Sequence, residues 1–142
     1  MSRRFTLREA GELLPSIDRL IRRAVAQKSE YQEAEEELQS ITRRVMVSGG
    51  MIVDRDAVGS VRQRLNRAAE SLKQLLSEIQ ETGCVVKDLD IGLVDFPTLF
   101  RGREVYLCWR MGETSIRYWH GEEGFRGRKE IDQDFLDNHS AD

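Results

Sequence analysis

Hydrophobic residues recur every seven positions along the first half of the chain, in two lines that run without a break. The lines are Ile17, Ala24, Tyr31, Leu38 and Val45, with Leu20, Gln27, Ala34 and Ile41 as their companions. A mean apolar spacing of 3.5 residues is typical of a helix in a coiled coil. The pattern predicts one long helix beginning near Ser16.

A second seven-residue pattern follows Asp56, which we interpret as the N-cap of another helix. Its lines are Val58, Leu65, Leu72 and Ile79, with Val61, Ala68 and Leu75. Gly83 then supplies a C-terminal stop. Because few residues separate the two helices, the second must fold back antiparallel on the first. At 1.5 Å per residue, the paired region is roughly 40 Å long.

The chain before the long helix carries its own helix signals. Thr6 followed by Glu9 fits a capping box. Pro15 lacks a donor and clashes with the preceding turn, so we expect a break there and a short N-terminal helix before it. The start of the long helix is apolar over a wide arc and needs a second surface to cover it. Its residues are Leu13, Leu14, Ile17, Leu20 and Ile21.

The second half of the chain alternates in the manner of strands. Residues 104–110 and 115–120 indicate a β-hairpin, and Pro97 marks a turn or an edge. We therefore predict an α+β fold, a long antiparallel helical hairpin (coiled coil) packed at its base on a small antiparallel sheet of three or four strands. The predicted divisions are 1–83 for the helices, 84–131 for the sheet, and 132–142 for a disordered acidic tail.

Composition narrows the class of protein. The net charge of -3 gives no overall field favouring nucleic acid or membranes. No apolar run approaches the roughly 18 residues of a membrane span, and the start has no secretory apolar core. The two cysteines, Cys84 and Cys108, do not form a CxxC motif. We expect a reduced, cytoplasmic protein without a cofactor.

Several motifs of the second half, together with the N-terminal residues, resemble one bacterial family. They lie at residues 87–97, 104–113, 119–120 and 124–128. The opening at residues 5–7 and the Leu13-Leu14-Pro15 step are similar to that family's N-terminal signature. Across most of residues 5–130 the chain resembles domain-of-unknown-function family 2203. The resemblance implies neither a substrate nor a catalytic residue.

Acidic residues and one imidazole form the first candidate site. Asp88, Asp90 and Asp95, joined by Glu113 and His120, have the chemistry to hold a divalent cation or to exchange protons. No recognised metal-ligand spacing supports this hypothesis, so whether a metal binds stays open. The alternative is that the carboxylates bond nearby backbone amides in turns, and that His120 bonds a carbonyl.

Aromatic and basic residues alternate in the predicted hairpin, where Trp109, Arg110 and Trp119 are candidate ligand contacts. Exposed aromatics beside arginines can stack bases and hold phosphates. The alternative is that the aromatics face the helices. The sequence pI of about 5.5 argues against nucleic acid. Between Leu107 and Trp109, Cys108 is interpreted as a small buried hydrophobe, and neither cysteine as a nucleophile.

Apolar residues also cluster at the predicted tip of the helical hairpin, far from the sheet. Met46, Met51, Ile52 and Val53 indicate a partner or a second copy of the chain, or else a local apolar cap. Two helices bury only one stripe each, so pairing of two hairpins would complete their packing. We expect a homodimer.

The sequence is compatible with three functions. The leading one is a non-enzymatic oligomeric binding or scaffold protein, in which the hairpin self-associates and the sheet face binds a small molecule or protein. It rests on the regular heptads and on the lack of a complete catalytic motif. The alternatives are a small metal-dependent enzyme or metal binder, and a protein that binds single-stranded RNA through the arginine-rich sheet face.

Overall fold

Two long helices dominate the structure, a computed structural model that describes residues 3–47 and 55–142. Helix α1 spans Leu7–Val47 and helix α2 spans Arg55–Glu81, and the two pack along each other as a hairpin. Arg64 of α2 binds Glu30 and Glu37 of α1, at 3.0 and 2.6 Å. The predicted helical hairpin on a sheet is confirmed, whereas coiled-coil geometry stays a prediction.

The start of α1 confirms the capping box and corrects the predicted break. The amide of Glu9 donates to Thr6 Oγ1 at 3.1 Å, and the amide of Thr6 donates to Glu9 Oε1 at 3.0 Å. The helix continues through Pro15. A proline inside a helix costs about 3 kcal/mol, but burying an isoleucine returns about 1.5–3 kcal/mol. Ile17 and Ile21 are both fully buried, so packing outweighs the proline.

The ends of α2 give one correction and one confirmation. The helix begins at Arg55, so Asp56 is not the N-cap but lies in the first turn, where its charge interacts favourably with the helix dipole. The helix ends at Glu81, and Gly83 has a φ of 98°, a backbone conformation that glycine adopts without strain. Gly83 therefore does end the helix.

The sheet is antiparallel and has six strands, two more than the upper predicted number. Its strands are β1 Val85–Asp88, β2 Leu93–Phe100, β3 Arg103–Arg110, β4 Tyr118–His120, β5 Lys129–Glu130 and β6 His139–Ser140. The first five lie in chain order, and β6 pairs with the end of β2. The predicted hairpin is that of β3 and β4.

Pro97 lies inside β2 and not at a turn or an edge, which corrects its predicted place. Its carbonyl accepts a hydrogen bond from the amide of Phe5 at 2.7 Å, on the side of β2 away from β3. The nitrogen and carbonyl of one strand residue point to the same side. The missing donor of Pro97 therefore removes nothing from the pairing of β2 with β3.

The acidic tail is folded, contrary to the prediction of disorder. Helix α3 spans Gln133–Asn138, and Asp132 caps it by accepting a hydrogen bond from the amide of Phe135 at 2.9 Å. Phe135 is buried, with its ring 5.1 Å from Phe100 and 4.9 Å from Trp119. One well-placed aromatic residue outweighs the acidic composition.

One hydrophobic core joins the base of the hairpin to the sheet. It contains Ile17 and Ile21 of α1, Ile79 of α2, and Phe96 and Trp109 of the sheet. Leu13, Leu14 and Leu20 pack against it. The predicted cover for the apolar start of the long helix is confirmed, and this contact leaves the opposite face of the sheet without a helix of the hairpin.

Candidate functional site

The sheet has two chemically distinct faces. The inner face, towards the hairpin, carries Val94 and Phe96 of β2 opposite Trp109 and Leu107 of β3. Successive side chains of a strand point to opposite faces. Asp95 and Cys108, paired across the same two strands, therefore lie on the other face, which we call the outer face.

A buried ion-pairing group lies on the outer face. Asp95 is 0 % exposed and His120 is 3 % exposed. Nε2 of His120 is 2.9 and 3.0 Å from the two carboxylate oxygens of Asp95, and Nδ1 is 2.8 Å from the carbonyl oxygen of Gly121. The structure thus brings together two of the predicted acidic and imidazole residues.

The hydrogen-bond partners of His120 determine which of its ring nitrogens carry protons. A carbonyl oxygen only accepts hydrogen bonds, so Nδ1 carries a proton and donates it to Gly121. An ionised carboxylate also only accepts, so one further proton lies between Nε2 and Asp95. Whichever of the two groups holds that proton, the pair has no net charge. Burial raises the pKa of Asp95, and the hydrogen bond from His120 opposes that rise.

Cys108 adjoins this pair, and its role could not be inferred from spacing. One ligand atom each from Asp95, Cys108 and His120 lies within 4.8 Å of the others. Burial raises the pKa of the Cys108 thiol to about 11, and the nearby Arg128 guanidinium opposes that rise. The thiol is therefore protonated at neutral pH. Alternation along β3 places Cys108 on the same face as Tyr106, but it does not show that Asp95 and His120 lie beside it.

An arginine holds the edge of the site. Nη1 of Arg128 lies 3.9 Å from Cys108 Sγ, and the guanidinium makes two hydrogen bonds to the carboxylate of Glu113, at 3.3 and 2.8 Å. It also lies over the rings of Tyr118 and Phe125, at 3.9 and 4.7 Å. Glu113 thus binds Arg128 and does not join Asp95.

The remaining predicted acidic residues lie apart. Asp88 is exposed and accepts a hydrogen bond from the amide of Asp90 at 2.9 Å. Asp90 is exposed and forms an ion pair with Lys28 of α1. The carboxylate of Asp88 therefore bonds a backbone amide in the turn after β1, as the structural alternative predicted, whereas that of Asp90 pairs with a lysine of α1.

The predicted aromatic contacts face inwards. Trp109 is buried in the inner core and donates its indole N–H to the carbonyl of Glu113 at 3.0 Å. Trp119 is half-buried against Phe135 and lies under Lys129, at 4.9 Å. Arg110 is exposed at the end of β3. These three side chains do not form one surface with His120.

A pocket of about 360 Å³ opens beside the buried pair. Asp95 and His120 form part of its lining, and its other contributors include Leu93, Tyr106 and Phe125. Lys87 and Glu122, both exposed, add one cation and one anion to the walls. Small-molecule sites are concave and combine apolar walls with a few polar groups, as this pocket does.

Two further predicted features lie outside this site. Cys84, which follows α2, is buried, and burial raises the pKa of its thiol to about 11. A thiol with so high a pKa is not a nucleophile at neutral pH. Met46 is 75 % exposed near the end of α1. Met51, Ile52 and Val53, the other predicted interface residues, lie outside the described residues.

Comparison with known proteins places the chain in a family. Neither the curated proteins nor the solved structures contain a match to it. Along residues 3–47 and 55–142, neither long helix is apolar enough to cross a membrane. The model of an uncharacterised conserved protein family matches residues 3–131, which include Asp95, Cys108, His120 and Arg128. The chain therefore belongs to the DUF2203 family of uncharacterised conserved proteins.

Proposed function

We propose that this protein is a non-enzymatic binding protein, and that its ligand is a small zwitterion of the amino-acid type held in the outer-face pocket. The observation that carries this proposal is the placement of the buried pair of Asp95 and His120 in the lining of a pocket of about 360 Å³. Buried ionisable groups in a cleft are typical of functional sites.

The cost of that pair supports a role in binding. Removing a carboxylate and an imidazole from water is unfavourable, and apolar residues of similar volume often give equal or greater stability. The inner face of the same sheet is filled with apolar side chains. The polar pair on the outer face is therefore not explained by packing, and it indicates a role in binding.

The walls of the pocket indicate the class of ligand. The pair of Asp95 and His120 is neutral overall, so it favours neither a net anion nor a net cation. Lys87 can receive a carboxylate and Glu122 can receive an ammonium group. Leu93 and Phe125 can contact a short apolar side chain.

Binding of free amino acids to the full chain tests this proposal. Each common amino acid is added at millimolar concentration while amide NMR spectra and the melting temperature are recorded. A ligand present at about 100 times its Kd stabilises the folded state by about 2.7 kcal/mol. We expect at least one amino acid to do so and to shift the amide of Gly121.

Two charge variants and matched controls locate the site. Lys87→Ala and Glu122→Gln each remove one wall charge and should weaken binding. Lys73→Ala and Glu130→Gln remove exposed charges elsewhere and should leave it unchanged. If no amino acid binds the wild type, or if the control variants weaken binding equally, the proposal is wrong.

A second proposed property is self-association through the far end of the hairpin. Met46 and Val47 are 75 % and 90 % exposed, and together they place two large apolar side chains in solvent. A second copy of the hairpin offers the same apolar end, as in isologous dimers. We propose a homodimer joined there.

Light scattering of the full chain at micromolar concentration tests the dimer. The double variant Met46→Gln and Val47→Gln should lower the molecular mass from dimer to monomer. Leu136→Gln, which alters an exposed apolar residue on α3, is the control and should remain a dimer. A monomeric wild type contradicts this proposal.

A further inference from the structure

We propose that Asp95, Cys108 and His120 bind a divalent transition-metal ion, for which Zn²⁺ is the best match, beside the outer-face pocket that Asp95 and His120 line. This inference rests on the proposed function in one respect: the metal would present an open coordination position to the same small ligand. The three protein ligands themselves are independent of what that ligand is.

The three ligand atoms are close enough to share an ion. They lie within 4.8 Å of one another. With Zn–S near 2.3 Å and Zn–N near 2.1 Å, a tetrahedral ion holds sulfur and nitrogen about 3.6 Å apart. The most distant pair of ligand atoms therefore needs to close by about 1.2 Å at most, and Nε2 and Asp95 Oδ2, which are 2.9 Å apart, need to separate by about 0.5 Å. Small rotations about the side-chain bonds supply both movements.

The backbone of neighbouring strands supplies this geometry. Asp95 and Cys108 are directly paired across β2 and β3. His120 pairs with Tyr106, two residues before Cys108, and so lies diagonally across β3 and β4 on the same face. Ligands on packed strands are held more rigidly than ligands on loops.

His120 is already oriented as a metal ligand. Its Nδ1–H donates to the Gly121 carbonyl at 2.8 Å, which leaves Nε2, 2.9 Å from Asp95 Oδ2, as the nitrogen that can bind an ion. Metal-bound histidines almost always donate their other ring N–H to a carbonyl or carboxylate in this way. At His120, binding requires that the metal replace the proton between Nε2 and Asp95.

The charge balance of the site favours a divalent ion. Without metal, the pair of Asp95 and His120 is neutral and Cys108 is a neutral thiol. With metal, Asp95 and Cys108 are both anions, His120 is neutral, and a charge of +2 restores neutrality. Two protons leave to solvent, as expected when a metal binds protonated ligands. Arg128, 3.9 Å from Cys108 Sγ, assists the thiolate.

The donor set selects the kind of metal. Thiolate and imidazole suit Zn²⁺ and related transition metals, whereas Mg²⁺ and Ca²⁺ prefer oxygen ligands alone. Three protein ligands leave a fourth tetrahedral position, and two of the three, Asp95 and His120, line the pocket together with Tyr106 and Phe125. Such an open position is where zinc proteins bind water or a small molecule.

Cobalt substitution of the full chain is the direct test. The protein is stripped with a chelator and titrated with Co²⁺ alone, then with Zn²⁺ alone by calorimetry. We expect one ion per chain, a thiolate-to-cobalt charge-transfer band, and the visible bands of a tetrahedral ion. Absence of binding, or Co²⁺ binding without the thiolate band, would overturn the proposal.

The second buried cysteine provides a matched control. Cys108→Ser should abolish the charge-transfer band and weaken Zn²⁺ binding by at least about 100-fold, because changes to supporting residues alone cost 10–100-fold. Cys84→Ser replaces a buried thiol that lies outside the cluster and should leave both unchanged. Equal losses in the two variants, or none in Cys108→Ser, would contradict the assignment.

One measurement needs no substitution and applies even if Cys108→Ser fails to fold. In histidine ¹⁵N spectra of the wild type, Zn²⁺ should move the Nε2 resonance of His120 and leave Nδ1 protonated, while His139 is unaffected. Retained amino-acid binding with no response to Zn²⁺ would overturn the metal site alone. Zn²⁺ binding without any amino-acid ligand would overturn only the proposed function.

Discussion

The inner and outer faces of the sheet differ in what their buried side chains require from their neighbours. On the inner face, Val94, Phe96 and Leu107 need only apolar neighbours, which the base of the hairpin provides. On the outer face, Asp95 and His120 need each other, and Arg128 needs Glu113. An apolar core residue can be replaced by another of similar volume, whereas a buried charged group needs a specific ion-pairing partner.

The largest effect should come from the inner face. Trp109→Ala removes a fully buried ring and should lower the free energy of unfolding by about 4 kcal/mol, because it loses transfer energy and leaves a cavity. Urea unfolding followed by circular dichroism measures the change. Arg110→Ala, at the exposed neighbouring position, is the control and should change stability by less than about 0.5 kcal/mol.

Substitutions of Asp95 and His120 on the outer face should be energetically coupled, unlike substitutions on the inner face. His120→Leu leaves Asp95 buried without its partner and should cost about 3 kcal/mol. Adding Asp95→Leu should then restore part of that loss, because two apolar residues need no partner. Chelator-treated protein in urea gives the values. If the two losses simply add, the outer face behaves like the inner one and the contrast fails.

A smaller loss is expected at the edge of the outer face. Arg128→Met keeps the bulk over Tyr118 and Phe125 but removes two of the hydrogen bonds to the half-buried carboxylate of Glu113, which retains the one from the amide of Arg110. Loss of such charged hydrogen bonds should lower the unfolding free energy by about 2 kcal/mol. Arg126→Met, an exposed neighbour, is the matched control. A loss in both variants would point to loop disruption rather than to the ion pair.

The smallest effect belongs to the start of α1, which supports the inner face. Thr6→Ala removes the cap of Glu9 and should cost about 1 kcal/mol in urea unfolding. Thr42→Ala, in an exposed turn of the same helix, should cost nothing, because alanine is the better helix former there.

The capping box also predicts a dependence on pH. The backbone amide of Thr6 lowers the pKa of Glu9, so its contribution is present above the ordinary glutamate pKa and is lost as pH falls through the lowered value. Glu9→Gln should remove this part of the acid sensitivity. An identical pH profile for the variant and the wild type would contradict it.

Local signals predicted the fold where a single energy term dominates. The two long helices, the Thr6 capping box and the helix end at Gly83 were predicted from such signals, and the structure confirms all three. Pro15 and the acidic tail were misjudged, because Ile17 and Phe135 are buried by parts of the chain distant in sequence. Amino-acid composition does not show which side chains distant parts of the chain will bury.

The candidate site was predictable only in part. Asp95 and His120 were named as candidates from their chemistry, and the structure brings them together. Cys108 was interpreted as a small buried residue, and it is buried, but sequence alone does not show that it lies beside Asp95 and His120. Strand register, fixed by pairing across β2, β3 and β4, is what assembles the three residues.

The acidic tail contacts the start of α1. His139 accepts a hydrogen bond from the amide of Leu7 through Nε2, at 3.0 Å, and β6 completes the pairing of β2. The first turn of the longest helix therefore gains its last hydrogen bond only after His139 has been synthesised, 132 residues later. An affinity tag fused directly after Asp142 would crowd this junction, whereas a long flexible spacer would leave it free to close.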